Sequence, residues 1–167
     1  YKGTSNSLGN GPLNDGYHIA KTLKNVGYDV YTYVDGDKDI FLDALKHFIS
    51  TTTERLVIYY IGHGLNVKDT SGDEADGKDE AMYFVDGTLV DDVLVETLKL
   101  KRESSIITLI TDACHSGSIW DIQGGNKKGR VIPPNVLSYS AASDRQTAKQ
   151  TFFEKTEQGV FSYFLRK

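Results

Sequence analysis

Ser105-Ile-Ile-Thr-Leu-Ile-Thr-Asp-Ala-Cys114-His-Ser-Gly-Ser118 opens as an apolar run and breaks into small polar residues that favour a loop. Ile106–Thr111 is a continuous stretch of aliphatic and β-branched side chains, the pattern of a strand buried on both faces. A second run of the same kind, Leu56-Val-Ile-Tyr-Tyr-Ile61, stops at Gly62-His63-Gly64 about fifty residues upstream. One strand thus hands over to the chain's only cysteine, and the other to a histidine held between two glycines.

Working outward, strands and helices alternate. Asn14 or Asp15 is expected to cap a helix carrying Ile19, Leu23 and Val26 until Gly27 stops it. Tyr28–Val34 alternates and predicts a strand, closed by the turn Asp35-Gly36-Asp37. Ile40, Phe41, Ala44, Leu45, Phe48 and Ile49 keep helical spacing. The acidic segment from Asp69 to Glu80 predicts a solvated loop, followed by a short strand over Met82–Val85 and a helix from about Asp91 to Leu98. A Gly- and Lys-rich loop over Gln123–Pro134 precedes a strand at Val136–Ser140, and Val160–Leu165 opens a last helix. This order predicts a single α/β domain over residues 1–167: a three-layer sandwich with a mostly parallel central sheet and helices on both faces. In such sheets ligands bind beyond the carboxyl ends of the strands, where His63 and Cys114 fall.

Bulk composition narrows the function classes. A formal charge of −4 argues against nucleic acid or an anionic membrane as partner. The apolar runs are far shorter than the roughly twenty residues a membrane helix needs. A lone cysteine forms no internal disulfide, so a reducing, cytoplasmic setting is expected. The chain begins at Tyr1 with no signal-like segment, which reads as a fragment or a processed form. A monomer is expected.

The chemistry follows from the two strand ends. A thiol delivered to a loop beside an imidazole is a nucleophile with its base, rather than a small core hydrophobe. The glycines around His63 let a substrate backbone approach the ring. Among the four histidines, His18 and His47 fall on amphipathic helices, and His115 adjoins the cysteine, which ordinarily points the two side chains apart. His63 is therefore the expected base and His115 the second choice. A phosphatase loop is excluded, because the sixth residue after Cys114 is Trp120 and not a phosphate-clamping arginine. Zinc-ligand spacing is absent from the sequence.

Six ordered motifs carry a family resemblance. Leu13-Asn14-Asp15, Tyr60-Ile-Gly-His63-Gly, the acidic Gly72–Glu80 stretch with Val90-Asp91-Asp92, Asp112-Ala-Cys114-His-Ser-Gly-Ser, Ser140-Ala-Ala-Ser-Asp144-Arg-Gln146 and Gly159-Val-Phe-Ser-Tyr together resemble the caspase-like (clan CD, family C14) cysteine peptidases. They are most similar to the metacaspases. That resemblance implies His63 as general base, Cys114 as thiol nucleophile, and the backbone N–H groups of Gly64 and Cys114 as the oxyanion hole. It also implies that a first strand and a C-terminal stretch typical of the family are missing from residues 1–167. Ile61 stands where metacaspases typically carry a serine of the substrate pocket, and Gly11-Pro12 replaces a common Gly-Cys.

Charge predicts the substrate. Asp112, two residues before the nucleophile, favours a cationic side chain and repels aspartate. The resemblance adds Asp15 to the same pocket, and two carboxylates suit Arg or Lys before the cleaved bond. The resemblance further implies a Ca²⁺ site made by Asp79, Asp91, Asp92 and Asp121, an activating ion held by hard oxygen ligands. The acidic loop alone does not fit an EF-hand. Lys127, Lys128 and Arg130, thirteen to sixteen residues past the nucleophile, are candidate autocleavage points for an enzyme of that preference. The competing expectations are a catalytically silent caspase-like module that binds calcium or a partner, and a hydrolase of non-peptide acyl bonds. The second leaves Asp15 and Asp112 unexplained.

Overall fold

The computed structural model describes residues 7–72, 77–120, 132–143 and 145–167. Three parallel strands form the central sheet, in the order β1 (Arg55–Ile61), β5 (Ile106–Asp112), β6 (Val136–Ser140). β1 and β5 are the two apolar runs of the sequence, paired residue for residue from Arg55↔Ile106 to Ile61↔Asp112.

Side chains alternate across this sheet as strand geometry requires. Leu56, Ile58 and Tyr60 of β1, with Ile107 and Leu109 of β5, join a core completed by Leu45 and Ile49 of α2 (Lys38–Thr51) and Leu94 and Leu98 of α3 (Asp91–Leu98). On the opposite face Tyr59 meets Ser162 of α4 (Val160–Leu165). Helices therefore cover both faces, the layering expected from the sequence. No helix among the described residues is long and apolar enough to cross a membrane.

Several elements differ from expectation. α1 spans Gly11–Asn25, with Asn10 at its N-cap and Pro12 in its first turn, so it starts before the Asn14-Asp15 pair and buries Asp15 within it. Proline fits there because its missing N–H has no helical partner in the first turn. Tyr28–Val34 is not a strand. It joins no ladder among the described residues; that segment and β1 line one cavity of about 1500 Å³, and Tyr31 and Val34 stay 75% and 60% exposed. The acidic segment does not remain solvated to its end: β3 (Lys78–Phe84) takes up its last residues and buries Asp79 and Glu80.

β3 is the middle of an antiparallel sheet with β2 (Gly64–Lys68) and β4 (Gly87–Val90) that the sequence reading reduced to one short strand. A further hairpin, β7 (Gln150–Phe153) with β8 (Thr156–Gly159), turns through Glu154 and Lys155, both in left-handed conformation, and packs against α1. β8 leads directly into α4.

Candidate active site

The register of the central sheet assembles the site. Because Ile61 stands opposite Asp112, His63 and Cys114 each follow their strand by two residues and leave the sheet at the same level. The Gly62 N–H donates to the Asp112 carbonyl at 3.3 Å, holding the two exits together. A Cβ placed on Gly64 would stand 1.8 Å from the Cys114 carbonyl oxygen. Only glycine permits that approach.

His63 is fixed through its backbone. Its carbonyl accepts from the Tyr83 N–H at 3.1 Å and lies 2.8 Å from the buried Tyr60 hydroxyl. The Tyr83 ring meets the imidazole edge-on, at a centroid distance of 5.9 Å. Cys114, a free and half-buried thiol, is followed by His115 in left-handed conformation (φ 50°), whose N–H donates to the Gln146 carbonyl at 3.0 Å. The Ser140 hydroxyl donates to the Ser116 carbonyl at 2.7 Å, and the buried Trp120 indole donates to the Thr111 hydroxyl at 2.9 Å. These bonds tie the loop after the cysteine to β5 and to the end of β6.

A cavity of about 240 Å³ opens here, lined by Ile61, Gly62, His63, Asp112, Cys114 and Gly159, with Leu8, Ala148 and Gln150 at its margin. His63 and Cys114 share its wall; His115 does not line it.

The two predicted pocket carboxylates converge on the β8–α4 junction. Asp112 is 5% exposed and lines the cavity; its Oδ2 accepts from the Ser162 N–H at 3.2 Å and from the Ser162 hydroxyl. Asp15 is 1% exposed and lies behind Gly159 rather than in the cavity wall, with its Oδ2 accepting from the Gly159 N–H at 2.6 Å. Its Oδ1 is buried with no hydrogen-bond partner among the described residues. Burial pushes the Asp15 carboxyl up to about 6, against the Gly159 hydrogen bond and with help from the nearby Asp112 charge. Burial likewise raises Asp112, opposed by both Ser162 hydrogen bonds. Two acidic groups packed this closely gain from a cation placed between them.

Of the four residues implied for calcium, the pairing Ala81↔Val90 brings Asp79 to the same end of the β3–β4 ladder as Asp91 and Asp92. Asp79 and Asp91 are 2% and 0% exposed, and Asp91 Oδ1 accepts from the Asp92 N–H at 2.8 Å. Among the described residues no group of three or more His, Cys, Asp or Glu side chains is arranged to hold a metal ion. The fourth residue, Asp121, lies outside the described residues, as do Lys127, Lys128 and Arg130.

The sequence reading missed Gly159, Ser162 and Tyr59 as parts of the site. The usable signal was Gly159-Val-Phe-Ser162, a small residue opening a helix whose first turn carries a hydroxyl, but nothing in the spacing ties it to Asp112 fifty residues away.

The caspase-domain family, peptidase C14, matches residues 1–167. Metacaspase-1 of Candida glabrata is 30% identical over 182 residues, a match covering 97% of this chain and 46% of that protein. Metacaspase-1A of Neurospora crassa is 34% identical over 146 residues, covering 75% and 32%. The chain thus spans less than half the length of these relatives. Among solved structures, protein GSU0716 of Geobacter sulfurreducens superposes with a TM-score of 0.72 at 23% identity, over 90% of this chain and 69% of that one, a likeness of fold.

Proposed function

The chain belongs to the caspase-domain family of cysteine peptidases, and on that premise we propose that it is a metacaspase-like endopeptidase cleaving after Arg or Lys. The observation that supports this most is the shared cavity wall: His63, Cys114 and the acidic Asp112 border one space at the ends of two parallel strands.

In the proposed reaction His63 takes the proton of the Cys114 thiol, and the sulfur attacks the carbonyl carbon of the scissile bond. The oxyanion accepts hydrogen bonds from the backbone N–H groups of Gly64 and Cys114. The protonated His63 then gives its proton to the leaving amine as the C–N bond breaks. Water, deprotonated by His63, hydrolyses the thioester and restores the thiol. Asp112 binds the cationic side chain preceding the cleaved bond, and Asp15 adds negative potential from behind Gly159.

Calcium belongs to the same proposal. Asp79, Asp91 and Asp92, which share one end of the β3–β4 ladder, would supply hard oxygen donors, and Asp121 would complete the set. Bound there, the ion would supply positive charge linking the acidic segment to the chain after the nucleophile. Self-cleavage at Lys127, Lys128 or Arg130 follows if that segment reaches its own site at high effective concentration.

The testing experiment is hydrolysis of short fluorogenic peptides with Arg, Lys or Asp before the reporter, with and without calcium. Turnover of Arg and Lys peptides, lost in Cys114→Ala, is the expected result. Equal turnover of Asp peptides would refute the basic preference.

A further inference from the structure

The carboxylate that meets the substrate is itself held by a hydroxyl chain. Asp112 Oδ2 takes both the N–H and the hydroxyl of Ser162, and the Tyr59 hydroxyl stands 2.7 Å from the Ser162 Oγ. A serine hydroxyl has one proton. Given to Asp112, it leaves the Ser162 oxygen only as acceptor, so Tyr59 must be the donor behind it. Burial pushes the Tyr59 phenol well above its usual range, which keeps that donor protonated. Tyr59→Ser162→Asp112 is therefore a one-way chain ending on Asp112 Oδ2, and Ser162, at 0% exposure, is shut off from bulk solvent.

We propose that Ser162 is a positioning residue for substrate selection: with Tyr59 behind it, it turns the Asp112 carboxylate into an anchored anion at the cavity wall. This rests on the reading of the site as a pocket for a basic side chain. The chain matters because other groups around Asp112 act against an anion there. Burial penalises ionisation there, and Asp15 on α1 carries a like charge across Gly159; Arg166, just past α4, favours the ionised form of Asp15 and so sustains that repulsion. His63 and Cys114 share the cavity wall with Asp112. Among the described residues, the donors to Asp112 Oδ2 are both supplied by Ser162. Without its hydroxyl, Asp112 keeps one backbone donor, favours its neutral acid, and loses its advantage for a cation over a neutral group of equal shape.

The test compares peptides bearing Arg with otherwise identical peptides bearing citrulline, its neutral isostere, across wild type, Ser162→Ala, Ser162→Thr and Tyr59→Phe. Ser162→Ala is expected to lower the Arg-to-citrulline ratio of kcat/KM by roughly tenfold to a hundredfold, as loss of a hydrogen bond to a charged group predicts. The loss should fall mainly on KM. Ser162→Thr should restore the ratio, and Tyr59→Phe should lower it by a smaller factor. The acid limb of the Arg-peptide profile should move to higher pH in Ser162→Ala. Arg and citrulline peptides weakening in parallel, or a ratio that stays at the wild-type value, would overturn the proposal and leave Ser162 a packing residue. Should Ser162→Ala fail to fold, judged by near-UV circular dichroism, Tyr59→Phe decides alone, and an unchanged ratio there overturns it. A wild type that turns over both peptides equally would overturn the basic-pocket reading itself. Wild-type preference for Arg with unaltered variants would remove only the role of Ser162.

Discussion

Gly64 and Cys114 touch backbone to backbone: a methyl group on Gly64 would overlap the Cys114 carbonyl oxygen at 1.8 Å and approach the Ala113 Cβ at 3.3 Å. The neighbour on the other side of this contact is main chain, which cannot swing aside as a side chain does. Gly64→Ala must therefore push the two strand exits apart. We expect a stability loss of about 1–3 kcal/mol, typical of overpacking, and a fall in kcat/KM of tenfold or more, since catalytic geometry tolerates little displacement. Urea unfolding and steady-state kinetics measure the two. A Gly64→Ala variant with wild-type kinetics would mean that this contact does not set the spacing of base and nucleophile.

Cys114→Ala and His63→Ala should each remove peptidase activity while leaving the thermal melt close to wild type, because both side chains follow the strands rather than pack within them. His115→Ala should retain activity. Activity lost in the His115 variant and kept in the His63 variant would transfer the base to His115, and an active Cys114→Ala would dismiss the whole mechanism.

Asp112→Asn should lower kcat/KM for Arg and Lys peptides by one to a few orders of magnitude, because removing one side of a desolvated charge pair costs about 2–5 kcal/mol. The rate of Cys114 alkylation by iodoacetamide should change much less. A parallel collapse of alkylation would assign Asp112 to the nucleophile instead of to the substrate.

Asp15 links stability to pH with an unusual sign. Its folded carboxyl sits near 6, above the ordinary 3.8. Folding thus favours the protonated form: this contribution is fully present below about pH 3.8 and lost as pH rises through 6. At neutral pH the ionised Asp15 costs about 3 kcal/mol relative to a neutral group. Asp15→Asn, which keeps an acceptor for the Gly159 N–H, should raise Tm at pH 7.5 and change it little at pH 4. It should also weaken the preference for basic peptides. A lower Tm at pH 7.5 would show that the charge is compensated in the fold.

Calcium at millimolar concentration should raise peptidase activity, and Asp91→Ala or Asp92→Ala should abolish that response while Cys114 remains alkylatable. Isothermal titration calorimetry on the wild type supplies the decisive control: absence of heat on calcium addition would return Asp79, Asp91 and Asp92 to a purely structural role.

The parallel strands and the positions of His63 and Cys114 were legible because each strand is a run of apolar residues with an abrupt polar end. Periodicity and punctuation are local properties, and the sheet register follows from them. Tyr28–Val34 has the alternation of a strand yet joins no ladder among the described residues, which no local pattern can report. β2, β4 and the β7–β8 hairpin were missed because four- or five-residue strands with mixed polarity, such as Gln150–Phe153, carry too few apolar positions to establish a period. The resemblance supplied Asp15 as a pocket residue. Its placement behind Gly159, and its dependence on a junction more than a hundred residues away, are properties of packing alone.

β5 and β6 lie side by side from Ile107↔Val136 to Thr111↔Ser140, and the chain between Trp120 and Ile132 joins them. A cut in that connection would sever the polypeptide without separating the sheet. The amino-terminal piece would keep His63, Cys114 and both pocket carboxylates, while their partners Gly159 and Ser162 would reside on the carboxyl-terminal piece. Nicked protein would then behave as a heterodimer of its own fragments: one peak by gel filtration, two bands in denaturing gels. Its discrimination among substrates would become concentration-dependent, fading on dilution as the small fragment departs.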